Sequence, residues 1–397
     1  MKREHADIFI SGGGLAGLIA AAAFGHAGFS VILADPGPAD ADPDQKDLRS
    51  TAYLQPAQSL LAEIGLWDTL QPLAVPLQAL RIVDTIGDPP ELRDERAFNS
   101  EDMGENPFGW NFLNWVMRAQ VMDFLSKQHN ITLKFGTGFK SMLTRTTGAF
   151  VTLTNGSQIS TDLIVGADGR NSAVRSAAGI DAVTTRYGQK SLAFTATHVL
   201  PHNNVSTEIY HHGGPFTMVP LGDVNGVPAS AIVWMNEGRR SVDLAAMEPV
   251  LFNQEMNKRS ANLFGPMELA SERAVWPIIT QRATHLAAER VALIAEAAHV
   301  LPPIGAQGLN TSLNDVIALV ETASAQRDNL GAPAMLAAYA KARETDILRR
   351  TRIIDLFNRV TRSRDIGLQS LRLTGLKAAH DIAPLRKGLM RAGMGPV

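Results

Sequence analysis

The sequence predicts an α/β fold: a Rossmann-like nucleotide-binding domain interrupted by an inserted antiparallel sheet and followed by a helical C-terminal region. Three observations lead there. A glycine-rich turn joins a buried strand to an Ala-rich helix near the N-terminus. Strand patterns crowd residues 186 to 280. Beyond residue 308 the pattern reads helical.

The chain has 397 residues, enough for two packed units or one large discontinuous one. A hydrophobic fraction of 45% and a charged fraction of 19% are ordinary for a soluble globular protein. The net charge of -2 offers nothing to a nucleic-acid partner. No cysteine is present, which excludes disulfides, thiolate nucleophiles and Cys-ligated metals; no metal site is expected. The start, "MKREHADIFISGGG", lacks the cleavable apolar region of a secretory signal. "LAGLIAAAAFGHAGF" is broken by Gly and His and is too short to span a bilayer. The expectation is a cytoplasmic protein, with any membrane contact peripheral to the inner face.

Ile8 to Ile10 form an apolar run suited to a strand buried on both faces, and Val31 to Leu33 repeat it, ending at Asp35. With the intervening helix this makes a βαβ unit of about 30 residues. "PGPADADPDQKD" reads as loop, and "LRSTAYLQPAQSLLAEIGLWDTL" passes into a helix through Leu60, Leu61 and Ile64. Residues 76 to 100 combine strand-like "LQALRIVDT" with a polar segment. "LNWVMRAQVMDFLSKQ" reads as an amphipathic helix that uses Val121, Phe124 and Leu125. From 131 to 165 short strands alternate with turns, including an Asn155-Gly156 hairpin signal. The expected organisation is a discontinuous nucleotide domain (1–75, 101–185, 281–340), a substrate domain (76–100, 186–280) and a basic helical region (341–397).

Gly12, Gly14 and Gly17 form G-x-G-x-x-G. The first allows a tight turn, the second lets a pyrophosphate approach the backbone, and the third lets helix and strand pack closely. The helix N-terminus at Leu15 and Ala16 offers N–H groups to phosphate. Asp35 suits the ribose hydroxyls of an adenosine. The fingerprint does not separate NAD from FAD.

"TDLIVGADGRNSAVR", with Asp168, Ser172 and Arg175, resembles the second fingerprint of class A flavoprotein monooxygenases, the para-hydroxybenzoate hydroxylase family. That resemblance implies that Asp168 contacts FAD and borders the channel linked to reduced pyridine nucleotide; a bare turn closed by Asp168 is the less favoured alternative. "AEAAHVLPPIGAQGLN" resembles the family's third segment. That resemblance implies Glu296 on the ribityl chain of FAD and Pro303 and Gly305 along the flavin face. It further implies Gly308, Leu309 and Asn310 at the ring's carbonyl edge. Where the family carries Gly-Asp, this chain carries Ala295-Glu296, which alters the reach to FAD. "DLRSTAYL", "NWVMRAQVMDFL" and "PPIGAQGLNTSLNDV" are similar to the ubiquinone-biosynthesis hydroxylase branch over roughly residues 5 to 350. By that similarity Arg49 lies near the flavin, with a surface salt bridge as the alternative, and Arg118 and Gln120 lie near the ribityl and phosphate.

The resemblance implies a para-hydroxybenzoate hydroxylase-like fold. The implied activity is FAD-dependent hydroxylation of a polyprenyl phenol in ubiquinone biosynthesis, through a flavin C4a-hydroperoxide, with NAD(P)H visiting transiently and O2 as oxidant. Non-catalytic assembly with weakened FAD binding, or lipid epoxidation or reduction, are the alternatives. No catalytic side chain is assigned, because the flavin carries the chemistry; His299 reads as a structural hydrogen-bonder. Substrate is expected over Met218, Val219 and Pro220, with His212 a distant candidate, and Trp234 is expected in the core. From 341 onward, 13 Lys plus Arg face 5 Asp plus Glu, a local charge of +8. Ile347, Ile354 and Phe357 among arginines suit an anionic membrane or another ubiquinone-biosynthesis protein. A solvated helix packed on the parent domain explains them equally.

Overall fold

The structure is a computed structural model that describes residues 4–39, 47, 49–104, 106–361 and 365–394. Most of the Pro- and Asp-rich segment read as loop lies outside the described residues.

The chain opens with β1 (Glu4–Ser11), α1 (Leu15–His26) and β2 (Val31–Asp35). Next come β3 (Ser50–Leu54), α2 (Gln55–Glu63), the one-turn α3 (Trp67–Leu70) and β4 (Val75–Leu77). β5 (Ala79–Ile86), β6 (Glu91–Asn99), β7 (Gly109–Leu113) and α4 (Asn114–Ser126) follow. β8 (Ile131–Phe135), β9 (Phe139–Arg145), β10 (Gly148–Leu153), β11 (Gln158–Gly166) and α5 (Ala173–Ala177) complete the first half.

The inserted strands are β12 (Ala182–His198), β13 (Val205–Tyr210), β14 (Phe216–Val224) and β15 (Val227–Glu237). Helices α6 (Gly238–Ala246) and α7 (Pro249–Arg259) precede β16 (Met267–Leu269) and β17 (Ala274–Ala283). The chain returns through β18 (Ala287–Ala288), β19 (Val291–Leu293), α8 (Ala295–Ala298) and β20 (His299–Val300). It ends in α9 (Gln307–Ala325), α10 (Pro333–Thr361), α11 (Ile366–Asp381) and α12 (Ala383–Met394).

The first sheet runs β18-β19-β11-β1-β2-β8, with β9 and β10 added antiparallel beside β11. β1 pairs in parallel with both β2 and β11, so its residues Ile8, Phe9 and Ile10 are fully buried, as the continuous apolar run requires. The second sheet runs β20-β17-β12-β15-β14-β13-β5-β6, and β16 pairs with β12. β5 joins β13 in parallel, so the segment before residue 100 forms one sheet with the strands after 186. The polar run "ELRDERAFN" is itself the edge strand β6.

Strand alternation gives the second sheet two different faces. One packs Val83, Ile209, Phe216, Met218 and Trp234 against Leu244 of α6 and Phe252 and Met256 of α7. The other faces a cavity described below.

The basic C-terminal helix α10 divides its apolar side chains: Ile353, Leu356 and Phe357 are exposed, whereas Ile347 and Ile354 pack on the protein itself. Ile347 is buried in the main core, and Ile354 packs with Tyr187, Met235, Ile278 and Ile304. No helix among the described residues is long and apolar enough to cross a membrane.

One buried carboxylate joins four elements. Asp315 of α9 accepts from His299 Nε2 at 2.6 Å, the Ala295 amide at 3.0 Å and Arg343 Nε of α10 at 2.8 Å. Burial opposes its charge, yet His299 and Arg343 outweigh this and hold the carboxyl below its ordinary value. Asp315→Ala would remove the buried carboxylate shared by His299, the Ala295 amide and Arg343 and leave Arg343 only Asp346 as an acidic partner, and urea denaturation should show a loss of about 3–5 kcal/mol. Because the folded pKa is depressed, the carboxylate's contribution is present above the ordinary value of 3.8 and fades as pH falls through the folded value. The stability gap between wild type and Asp315→Asn should therefore be full at neutral pH and narrow in acid.

Candidate cofactor and substrate site

A cavity of about 1510 Å³ extends from the N-terminus of α1, past the α8–α9 turn, to the inner face of the second sheet and α10–α12. Its first end is built by the glycine turn. Gly12 sits at φ +114, and a Cβ there would meet the Ala167 carbonyl oxygen at 2.3 Å. A Cβ on Gly17 would lie 2.0 Å from Gly12 O, so this glycine lets α1 pack against the strand end. Gly14 differs: a Cβ there meets nothing within 4 Å, because the position opens onto the cavity. No side chain caps the first turn of α1, whose Leu15 and Ala16 line the cavity.

Asp35 receives the Gly13 amide at 2.6 Å and the Gly37 amide at 2.7 Å, and its carboxylate still lines the cavity. Arg118 donates to the Gly13 carbonyl and lies 5.2 Å from the Phe135 ring centroid. Burial draws its pKa down, with the Asp35 charge opposing. Its guanidinium has no carboxylate at ion-pair distance among the described residues. Gln120, two residues on, does not line the cavity.

Further along, Arg49 makes a two-pronged contact with Asp47, at 2.8 and 2.7 Å, and stands 4.8 Å from the Trp276 ring centroid. Both the salt bridge and the cavity position expected of Arg49 are present together. Glu296 lines the cavity at 3.6 Å from Arg170, with its side chain 47% exposed. Ala295 holds φ +55, a left-handed conformation that glycine adopts without strain. After it, Pro303, Gly305, Ala306, Gln307, Gly308 and Leu309 form a wall, and no side chain caps α9.

Several expected contacts are turned elsewhere. The Asn310 side chain accepts the Leu54 amide at 2.8 Å and donates to Ala52 O and Ala306 O, both at 2.7 Å. It ties α9 to β3 rather than reaching the cavity. Asp168 accepts Ser172 Oγ at 2.5 Å and the Val174 amide at 3.0 Å, so its carboxylate caps α5. Its neighbours Ala167, Gly169 and Arg170 line the cavity.

The expected substrate residues need correction. Met218 is fully buried in the core behind the sheet, and Pro220, two residues on, shares its parity. Strand alternation presents Thr217 and Val219 to the cavity, so of the three residues expected over the substrate Val219 alone lines it. His212 is exposed and His211 is buried against Thr85; neither lines the cavity. His299 is held by Asp315, as a structural hydrogen-bonder would be, and Trp234 lies in the core.

Sequence reasoning missed Glu208, Tyr210 and Arg372, which all line the cavity. The signal available was the spacing of Ser206, Glu208 and Tyr210 at every second residue of one strand, which puts all three on one face.

This architecture, a parallel nucleotide-binding sheet facing an antiparallel sheet across a common cavity, is that of FAD-dependent monooxygenases. A family model described as FAD binding domain matches residues 5–351, and the chain belongs to that family of class A flavoprotein monooxygenases. The chain is 32% identical over 399 residues to ubiquinone hydroxylase UbiL of Rhodospirillum rubrum, covering 98% of this chain and 90% of the relative. It is 25% identical over 402 residues to 3-demethoxyubiquinol 3-hydroxylase of Escherichia coli, covering all of both. p-Nitrophenol 4-monooxygenase PnpA of Pseudomonas putida has the same fold, with a TM-score of 0.79 at 16% identity over 98% and 97% of the two chains. The protein is an FAD-dependent monooxygenase of the ubiquinone-biosynthesis hydroxylase kind, for which NAD(P)H and O2 are expected.

The residues present fit FAD. Gly14 is open, the α1 and α9 N-termini are uncapped, and Arg118 supplies a cation beside the glycine turn. Gly14 has φ -71, which alanine accepts, so Gly14→Ala should leave the melting temperature unchanged while weakening FAD binding at least about tenfold by fluorescence titration. Gly17→Ala should instead lower stability, because its Cβ collides with backbone.

Proposed function

We propose that the protein hydroxylates the aromatic ring of a polyprenyl phenol in ubiquinone biosynthesis. The observation that carries this reading is the apolar lining of the cavity away from the glycine turn, which includes Ile82, Phe98, Leu356, Phe357, Leu376 and Leu389. A lining of this composition suits a hydrocarbon chain, and burying one favours binding by about 0.8 kcal/mol per methylene. The names of the Rhodospirillum and Escherichia relatives point to the same substrate class.

In this reading Gly14, Leu15, Ala16 and Arg118 receive the FAD pyrophosphate, and Asp35 receives the adenosine ribose. Glu296 receives the ribityl hydroxyls; its longer side chain is half exposed and free to adjust. Gly308 and Leu309, at the positive end of α9, face the ring's carbonyl edge, where that dipole favours negative charge on the reduced flavin. Asn310 acts through β3, holding the α9 terminus in place. Bound FAD supplies electron transfer from NAD(P)H and activation of O2. The protein supplies orientation and a water-poor, apolar enclosure.

The discriminating experiment combines purified protein with FAD, NADPH and a short-chain prenylated phenol. Substrate-stimulated NADPH oxidation with a product heavier by one oxygen is expected; no flavin uptake at high FAD would sink the reading. Epoxide or reduced prenyl product would replace it with the lipid alternatives. Glu296→Ala should weaken FAD binding about tenfold, through loss of a charge-assisted hydrogen bond.

The same reading includes a peripheral membrane contact that delivers the lipid. Ile382 and Leu385 are exposed beside Lys387 and Arg391 at the C-terminal end. Serine at positions 382 and 385 should reduce co-sedimentation with anionic vesicles; unchanged partitioning would remove this contact.

A further inference from the structure

Five carboxylates line the cavity: Asp35, Asp47, Asp84, Glu208 and Glu296. Four have evident employment. Asp47 pairs with Arg49, Asp84 with Arg93 and Arg372, and Glu296 with Arg170, while Asp35 takes two backbone amides. Glu208 is different. It is 7% exposed, projects from β13 into the cavity, and has no cationic side chain at ion-pair distance among the described residues.

The Tyr210 hydroxyl, from the next position on the same strand face, donates to Glu208 Oε2. The Gly305 backbone, in the loop assigned above to the flavin face, lies close enough to favour its charged form. Glu208 thus connects the substrate sheet to the cofactor loop, where a substrate ring would lie.

A phenol ring attacks an electrophilic oxygen far better once ionised, because the charge spreads onto the carbons ortho and para to the hydroxyl. Resting on the proposed function, we infer that Glu208 accepts the proton of the substrate's phenolic hydroxyl, with Tyr210 holding its carboxylate in place. In that step the phenolic O–H bond breaks, a Glu208 O–H bond forms, and the electron pair stays on the substrate as phenolate. No oxidant or reductant is consumed in it.

The environment suits the task. Burial raises the Glu208 pKa, with the Tyr210 hydroxyl and the Gly305 backbone opposing, which makes the carboxylate a stronger base than a solvated one. Tyr210 remains a donor, because burial, reinforced by the Glu208 charge, raises its pKa well above 10.0. The other charges facing this corner are Asp84 of β5 with Arg93 of β6 and Arg372 of α11, and Arg372 also lies 5.8 Å from the Tyr210 ring centroid. Asp84 and the two arginines are mutually paired and buried to differing degrees, which leaves Glu208 as the proton acceptor.

The test uses the FAD-loaded full chain and 2-prenylphenol. Wild type should develop a phenolate band in the ultraviolet difference spectrum on binding. Glu208→Gln should lose that band and form product at least about a hundredfold more slowly, with FAD affinity unchanged. Glu208→Asp should restore part of both. Tyr210→Phe removes a hydrogen bond to the charged form, so the band should appear at higher pH than in wild type. Wild-type phenolate formation and an unchanged pH profile in Glu208→Gln would overturn the inference while leaving the hydroxylase reading intact. Failure of wild type itself to bind FAD or hydroxylate the probe would overturn both.

Discussion

Asp315 is the constraint on which the geometry of the site rests. It is fully buried, and within hydrogen-bond reach it gathers a histidine, an arginine and a backbone amide from three other elements. The bonded amide belongs to Ala295, whose left-handed backbone aims Glu296 into the cavity. His299 is therefore not an acid–base partner of Glu296; it is the far anchor of the turn that presents it. From the same helix, Asn310 reaches β3 and fixes where the uncapped first turn of α9 points. A polar network so buried is stable only when every member is satisfied, which makes the turn rigid.

The second organising feature is the parity of the substrate sheet. Each strand divides its residues between a core packed on α6 and α7 and the floor of the cavity. Thr217 and Val219 of β14 face the cavity, as do Ser206, Glu208 and Tyr210 of β13. The C-terminal helices close the other side. Arg372 of α11 reaches the buried Asp84 of β5, which ties the closing helices to the sheet they cover. The basic character of this region thus serves the protein's own interior at several points, including Arg343 at Asp315.

Much of the nucleotide half was legible because its physics is local. A tight turn, an uncapped helix and an acidic strand end lie within about 30 residues, so spacing alone exposes them. Gly12 and Gly17 meet backbone at short distance, and Gly14 opens to the cavity, each in the part its position suggested. Asp168 and Asn310 stood in motif positions, yet their side chains found backbone partners instead. Motif position specifies where the chain passes, whereas side-chain direction depends on which donors happen to lie nearby.

By itself the sequence determined the α/β class, the glycine turn with Asp35, the inserted strands and the helical end, because periodicity and turn chemistry act over short stretches. Only the tertiary structure decided which face of β14 meets the cavity, since one residue of register exchanges every side chain between core and floor. Only it brought Glu208 close to Gly305, nearly a hundred residues away, and left it with no cationic side chain at ion-pair distance among the described residues. Such pairings arise from sheet order and burial, which no local pattern encodes.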